Sequence, residues 1–260
     1  HGFVHSRAGK AKGKNNMCLN IQDGETNEIK WYDFGKAEQN IIWEQVPAEI
    51  MITDTDKNSI NTAKLRELES WRDNDAYEEV ERADQKLIST RWVITTKEKD
   101  GGITTKARLC ARGYEDQDVD KKNTNSPTCS KETIRIALAT MSANGWNCKS
   151  LDVKSAFLQG KLIERDIFLK PPKEAKTDKV WKCKKAVYGL NEASRHWYDK
   201  VKEELSKLGF SCSKFDEAFF YHTVGDSLKG VLSAHVDDFL NGGDETFKRK
   251  VSELKDIFQF

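Results

Sequence analysis

The sequence has few of the features that mark a zinc-bound, disulfide-bonded or membrane-embedded protein. Its six cysteines are scattered, with no CxxC pair and no cluster of histidine with cysteine, which argues against a zinc module and a small disulfide scaffold. No apolar run is long enough to span a bilayer, and no signal peptide opens the chain. We therefore expect an intracellular protein in a reducing compartment, with no membrane partner.

The chain also has almost no net charge, because 43 Lys and Arg residues face 42 Asp and Glu residues. This balance hides a segregation, since acidic residues dominate positions 64–84 and basic residues dominate positions 86–112. A local basic stripe is what contact with a polyanion needs, although an ordinary solvated surface has the same composition. The overall charge therefore excludes little, and the local charge leaves nucleic-acid binding open.

Composition and periodicity indicate one large domain with an additional arm. The 260 residues are 37% hydrophobic and 33% charged, which allows a core beneath a heavily solvated surface. Residues 1–61 are polar and without a sustained period, so we expect an irregular arm or linker from an upstream region. Residues 62–260 carry the periodic segments. Because the chain begins at His1, we expect it to be part of a longer polypeptide.

The periodic segments predict a mixture of helices and strands. Helical spacing predicts helices at residues 62–82, 131–143 and 192–208 and from about Glu245 onward. Their expected apolar faces are Leu65, Leu68 and Trp71, then Ile134, Leu138 and Met141, then Ala193, Trp197, Val201, Leu205 and Leu208. Ser130 can cap the second helix, and Gly209 can end the third.

Strand patterns alternate irregularly with these helices. Hairpins are predicted for residues 91–96 with 103–110 and for residues 166–170 with 179–187, and single strands for residues 146–153, 218–223 and 228–234. This irregular order indicates an α+β fold rather than a doubly wound one.

Two acidic features each lie at the end of an apolar strand. Asp152 ends the first, and Asp237 and Asp238 follow the second in the run SAHVDDF. Crowded carboxylates repel one another unless a cation neutralises them, and Mg²⁺ favours a few carboxylates together with waters and phosphates. Two such ions about 3.5–4 Å apart serve polymerases and nucleases alike. An isolated Asp-Asp pair also forms an ordinary polar turn, so the surrounding motifs decide.

Those motifs resemble copia-type LTR-retrotransposon reverse transcriptases. LDVKSAFLQG at residues 151–160 resembles the first catalytic motif of that family. Further matches follow in the family's order: RWV at 91–93, KARLCARGY at 106–114, SP at 126–127, TIR at 133–135, IFLKPP at 167–172, VYGL at 187–190, ASRHW at 193–197, FD at 215–216 and HVDD at 235–238. The resemblance extends from about residue 64 to residue 260, and the ordered set makes it specific.

The resemblance implies a fragment of a Pol polyprotein with the fingers and palm of a right-hand polymerase. It implies an antiparallel palm sheet packed on helices, a thumb that is largely missing from residues 62–260, an integrase upstream and an RNase H domain downstream. The expected substrates are dNTPs on an RNA or DNA template with a primer. The expected location is the cytoplasmic virus-like particle of such an element, with the nucleus as the alternative.

The resemblance also implies roles for individual residues. Asp152, Asp237 and Asp238 would be catalytic and would bind two Mg²⁺ ions, with Mn²⁺ as a substitute, while the primer 3′-hydroxyl attacks the α-phosphate of a dNTP. Four further residues would contact the incoming nucleotide. They are Lys106 and Arg108 at the triphosphate, Phe157 against the sugar 2′ position, and Gly189 beneath the nascent base pair.

Several positions depart from the common family pattern, and two other functions stay open. His235 stands where Tyr is usual, and further departures are Cys110, Asn191, Glu192 and Ser194. These departures leave the level of activity and the fidelity open. A catalytically inactive relic, acting at most as a nucleic-acid binding module, would keep the same fold. A two-metal nuclease would use the same carboxylates but would not need Lys106 or Phe157.

Overall fold

The computed structural model describes residues 6–10, 17–22, 29–33, 54–99, 102–118 and 124–260. The chain divides into two compact units, His1–Asp54 and Thr55–Phe260. In the first unit, strands β1 (Ser6–Lys10), β2 (Met17–Gln22) and β3 (Ile29–Asp33) form an antiparallel sheet in that order. The sequence does not predict these strands, and the assignment of residues 1–61 to an upstream region stays a prediction.

The first helix of the second unit differs from its predicted span. Helix α1 covers Asp54–Asp73 rather than residues 62–82. It ends because Asp75 adopts a left-handed backbone with φ of +48°, and the following strand β4 (Tyr77–Val80) pairs with a distant strand instead of continuing the helix. Leu65, expected on the apolar face, is 59% exposed, whereas Leu68 and Trp71 are buried as predicted.

Strand β4 belongs to a small sheet that covers the buried face of α1. Its other members are β5 (Leu87–Ile88), β9 (Phe168–Leu169) and β10 (Val180–Cys183), in the order β4-β10-β9-β5. The antiparallel pairing of β9 with β10 confirms the second predicted hairpin, in shorter form. Trp181 of β10 stacks on Tyr77 at 4.0 Å between ring centroids and lies 5.7 Å from Trp71.

The first predicted hairpin is confirmed. Strands β6 (Thr90–Lys99) and β7 (Gly102–Ala111) pair antiparallel along their whole length. In β7 the buried residues Ala107, Leu109 and Ala111 alternate with Lys106 and Arg108. Because side chains of a strand point alternately to its two faces, the two basic residues share the face away from the core.

The largest sheet brings together strands that are far apart in sequence. It is antiparallel, in the order β11-β12-β13-β14-β8. The members are β8 (Lys149–Asp152), β11 (Ser211–Cys212), β12 (Phe219–Val224), β13 (Ser227–His235) and β14 (Asp238–Gly243). Strand β8 precedes the other four in the chain yet adds to the edge of the sheet beside β14. This crossover decides which acidic residues become neighbours.

Three helices accompany this sheet, and each begins near the predicted residue. They are α2 (Lys131–Ala143), α3 (Ala193–Lys207) and α4 (Glu245–Ile257). The Ser130 hydroxyl accepts a hydrogen bond from the Thr133 amide at 3.1 Å, which confirms the predicted cap of α2. Leu138 was expected on the buried face of α2 but is 44% exposed, because Ala137 and Met141 face the sheet.

The apolar stripe of α3 is confirmed from Ala193 to Leu205. With four α-helices and mainly antiparallel sheets in the described ranges, the predicted α+β class is confirmed. None of the helices within those ranges is both long enough and apolar enough to cross a bilayer.

Arg165 joins the segment after β7 to the start of α3. Its guanidinium donates to both carboxylate oxygens of Asp116, at 3.1 Å for the longer of the two bonds, and to those of Glu192 at 2.9 and 3.0 Å. Burial alone would raise the pKa of Asp116, but the hydrogen bonds and the charge of Arg165 outweigh it. The pKa of the Asp116 carboxyl is therefore lowered.

We predict that Asp116→Asn lowers the free energy of unfolding at pH 7 by about 2 kcal/mol, since it weakens bonds to a charged partner. Because the folded-state pKa of Asp116 is lowered, its contribution is complete above its ordinary value of 3.8 and is lost as pH falls below that value. The difference between wild type and variant should thus narrow as the pH falls below 3.8. Urea unfolding followed by circular dichroism measures this.

The matched control is Asp166→Asn, since the Asp166 carboxylate pairs with Lys182 but is 64% exposed. This control should change stability by no more than about 0.5 kcal/mol. Equal effects of the two substitutions would show that the Arg165 network contributes no more than a surface pair.

Candidate active site

The crossover of β8 places the predicted carboxylates at one end of the large sheet. Asp152 is paired in register with Asp238, and Asp238 is paired on its other side with His235. The amide of Val153 donates to the carbonyl oxygen of Asp237 at 2.9 Å, which ties the third aspartate to the end of β8. Asp152 therefore lies beside Asp237 and Asp238, which come more than 80 residues later in the sequence.

The turn that carries Asp237 has an unusual backbone. Val236 has φ of +56°, a left-handed conformation that is a clear outlier for a β-branched residue. The Trp197 indole of α3 donates a hydrogen bond to the Val236 carbonyl at 2.7 Å and so stabilises the turn. Backbone strain of about 1–3 kcal/mol persists only where surrounding structure enforces it, and functional sites are a common location.

The three carboxylates are at least partly accessible to solvent. Asp152 and Asp238 are exposed and Asp237 is half-buried. Directly opposed residues of antiparallel strands have Cα atoms about 4.5–5.5 Å apart and share a face of the sheet, so Asp152 and Asp238 are close neighbours. In the part of the chain that the structure describes, no group of three or more His, Cys, Asp or Glu side chains is arranged so that it could hold a metal ion. The arrangement is an open row of acids.

Phe157 lies just beyond Asp152, as its sequence position requires. It is the second residue of a short 3₁₀ helix, Ala156–Gln159. This helix follows Ser155, which has a left-handed backbone with φ of +48°. The ring is half-buried and packs 5.1 Å from the ring of Tyr188, at an angle of 57°. One side of Phe157 is therefore fixed by protein, and the other part of its surface remains accessible.

The two predicted phosphate-binding residues lie on β7, and a buried acid of α1 supports the same strand. Glu67 accepts hydrogen bonds from the Leu109 amide at 3.1 Å and from the Trp71 indole at 3.2 Å. Burial raises the pKa of Glu67, and the nearby charges of Lys106 and Arg108 oppose that rise. No sequence pattern indicates this support, because Glu67 resembles the other acids of a charged helix.

Tyr188 connects the hairpin with the aspartate turn. Burial raises the pKa of its hydroxyl; the charges of Glu67 and Asp237 raise it further, and that of Arg108 lowers it. The side chain therefore lies within electrostatic range of both Arg108 and Asp237. The charge of Lys106 acts on Glu67 as well.

Gly189 occupies a position that no other residue fits. Its φ is +89°, and a Cβ atom there would overlap the carbonyl oxygen of Ala111 at the end of β7. The Ala111 amide also donates to the Tyr188 carbonyl at 2.7 Å. The close approach that requires glycine is thus to the β7 backbone, and the predicted approach to a base pair stays a prediction.

Comparison with known proteins identifies the family of the chain. A family model described as reverse transcriptase (RNA-dependent DNA polymerase) matches residues 74–259. The Pol polyprotein of transposon RE2 from Arabidopsis thaliana is 36% identical over 166 residues, 62% of this chain and 11% of that polyprotein. That of transposon TNT 1-94 from Nicotiana tabacum is 29% identical over 214 residues, 79% of this chain and 16% of the polyprotein.

A third relative is the Ty1-LR2 Gag-Pol polyprotein of Saccharomyces cerevisiae, 30% identical over 178 residues, 68% of this chain and 10% of its own length. An α+β domain with acids at the end of an antiparallel sheet is thus the class that fold and site define. Because the family model covers well over half of the chain, the chain belongs to the reverse transcriptase family, of the copia type of retrotransposon Pol polyprotein. This is a family of nucleotidyltransferases. The chain spans less than a fifth of these relatives.

We predict that Gly189→Ala lowers the free energy of unfolding by about 3 kcal/mol, the sum of left-handed strain and overpacking against Ala111. Gly225→Ala is the matched control, since Gly225 has φ of +57° but open space around it. Gly225→Ala should lower the free energy of unfolding by the left-handed backbone strain alone, about 1 kcal/mol. Equal losses in urea unfolding would mean that the contact with Ala111 has no role.

Proposed function

We propose that residues 62–260 contain the fingers and palm of a right-hand polymerase that carries out RNA-directed DNA synthesis. The β6–β7 hairpin corresponds to the fingers, and the five-stranded sheet with its helices corresponds to the palm. The observation that carries the proposal is the register of β8 with β14, which pairs Asp152 with Asp238 beside Asp237. Membership of the family supports the reaction class.

The donor set suits Mg²⁺, the divalent ion that the family generally uses. Asp152, Asp237 and Asp238 provide only carboxylate oxygens from an open and solvent-accessible edge. Mg²⁺ sites at transferring phosphates commonly use one or two carboxylates and keep waters and substrate phosphates as the remaining ligands. When bound, such ions activate the attacking hydroxyl and neutralise the leaving oxygen.

The other site residues act on the nucleotide directly. Lys106 and Arg108 share one face of β7, where a point charge and a bidentate donor can bind the triphosphate of a dNTP. Phe157, backed by Tyr188, blocks the sugar 2′ position. Gly189 packs its backbone against Ala111 at the end of β7. It therefore presents no side chain to the nascent base pair.

The partners in this proposal are an RNA or DNA template with its primer and the dNTPs. The relatives are polyproteins, so we propose that integrase and RNase H domains accompany this domain in the parent polyprotein. The cytoplasmic virus-like particle of the element is the proposed location.

We predict that Asp237→Asn reduces primer extension at least about a hundredfold. Loss of a residue that only hydrogen-bonds to a metal ligand commonly lowers activity about 10–100-fold, and loss of a metal ligand itself should lower it at least as much. The assay uses an RNA template, a DNA primer, dNTPs and Mg²⁺. Asp226→Asn is the matched control, since Asp226 is an exposed acid of the turn between β12 and β13, and it should leave extension unchanged. Extension that survives Asp237→Asn would overturn the assignment of the site.

The same assay separates the alternative functions. Template binding without extension by the wild type would indicate an inactive binding module. Cleavage of the nucleic acid in the absence of dNTPs, lost in Asp237→Asn, would indicate a nuclease.

We also predict that Phe157→Ala raises the incorporation of ribonucleotides relative to dNTPs at least about tenfold, because the pocket loses the group that excludes the 2′-hydroxyl. The measurement is the ratio of kcat/KM for dTTP and UTP. Phe215→Ala is the control, since the Phe215 ring is fully exposed and should not affect the ratio. An unchanged ratio in Phe157→Ala would remove Phe157 from sugar selection.

A further inference from the structure

Tyr188 has contacts that the roles described so far do not use. Its ring packs against Phe157 at 5.1 Å between centroids, with the two planes tilted by 57°. Tilted aromatic pairs at this distance have a preferred mutual orientation, so each ring limits the rotation of the other. Among the described aromatic pairs, Phe157 takes part only in the one with Tyr188, and it also packs against the buried residues of two hydrophobic clusters. The Tyr188 ring is therefore the aromatic contact that helps to orient Phe157.

The backbone on both sides of Tyr188 is fixed. Val187 is fully buried, and Gly189 is held against β7 by its left-handed φ of +89°. The Tyr188 carbonyl accepts a hydrogen bond from the Ala111 amide at 2.7 Å. The Cα–Cβ direction of Tyr188 therefore follows the position of the strand that carries Arg108.

The hydroxyl end of Tyr188 is also held. It interacts with the side chain of Ser155, the left-handed residue two positions before Phe157. The Ser155 hydroxyl in turn accepts a hydrogen bond from the Ser70 hydroxyl of α1 at 3.0 Å. Tyr188 is thus attached to α1, to β7 and to the short helix of Phe157, while Phe157 keeps one free side.

We propose that Tyr188 is a positioning residue that fixes the ring of Phe157 and thereby sets the discrimination between deoxyribonucleotides and ribonucleotides. This inference rests on the proposed function, because it assumes that Phe157 faces the sugar. Tyr188 acts through Phe157 and needs no contact of its own with the nucleotide. Without the Tyr188 ring, Phe157 can turn into the vacated space and open the 2′ position.

The test is a double-mutant cycle on the full 260-residue chain, with an RNA template, a DNA primer, Mg²⁺ and either dTTP or UTP. Tyr188→Leu should lower the ratio of kcat/KM for dTTP over UTP by about tenfold, the upper range for loss of an aromatic pair. Tyr188→Phe keeps the ring and should stay within about threefold of wild type. In the Phe157→Ala background, Tyr188→Leu should have no further effect on the ratio.

Circular dichroism and the kcat/KM for dTTP report whether Tyr188→Leu is folded. If it is not, Tyr188→Met takes its place, since a flexible apolar side chain fills the space without an aromatic face. A sugar ratio unchanged in a folded variant would contradict the inference while the proposed function stands. Additive effects of Tyr188→Leu and Phe157→Ala would contradict it too, because Tyr188 would then contact the nucleotide itself. A wild-type chain that extends no primer would overturn the proposed function, and the inference with it.

Discussion

The pairing of β8 with β14 is the interaction on which the site depends. It adds a strand from the middle of the chain to the edge of a sheet whose other strands all come later, and it sets Asp152 opposite Asp238. Side chains alternate along a strand, so a slip of one residue would send Asp152 to the other face of the sheet. The buried residues Val153 and Phe239 beside the two acids fix the register, because a slip would expose them. Apolar packing thus decides where the charges meet.

Holding acids together at the end of a sheet has an energetic cost that the surrounding contacts offset. Like charges on neighbouring strands repel, and Val236 adds backbone strain in the turn. The Trp197 indole donates a hydrogen bond to the Val236 carbonyl, and the Val153 amide donates one to the Asp237 carbonyl. Both donors come from buried residues, so the turn is held by the core of the domain. The turn is thereby preorganised, as the proposed Mg²⁺ site requires.

The sequence predicted the elements whose own pattern is strong. The alternation in β7 predicted its two faces, the stripe of α3 predicted its burial, and Ser130 predicted the start of α2. Prediction failed where tertiary contacts decide: α1 ends at Asp73 because residues 77–80 pair with β10, and Leu138 is displaced from the core by Ala137. The aspartates were recognised from motifs, but periodicity alone could not give the β8–β14 register. The bond of Trp197 to the turn had no sequence signal, since the residue fits an apolar stripe.

The β6–β7 hairpin and the sheet that carries the acids have no common strand, so their alignment depends on side chains and on one tight backbone contact. Glu67 binds the Leu109 amide from α1, and Gly189 packs against Ala111 at the end of the same strand. Tyr188 then extends from this contact to Phe157. In the proposed function, Lys106 and Arg108 on β7 and the acids at the sheet edge act on one nucleotide, which requires a constant separation. Glu67 fixes β7 to α1, while Gly189 and Tyr188 fix the end of β7 to the segment that contacts Phe157, five residues after Asp152.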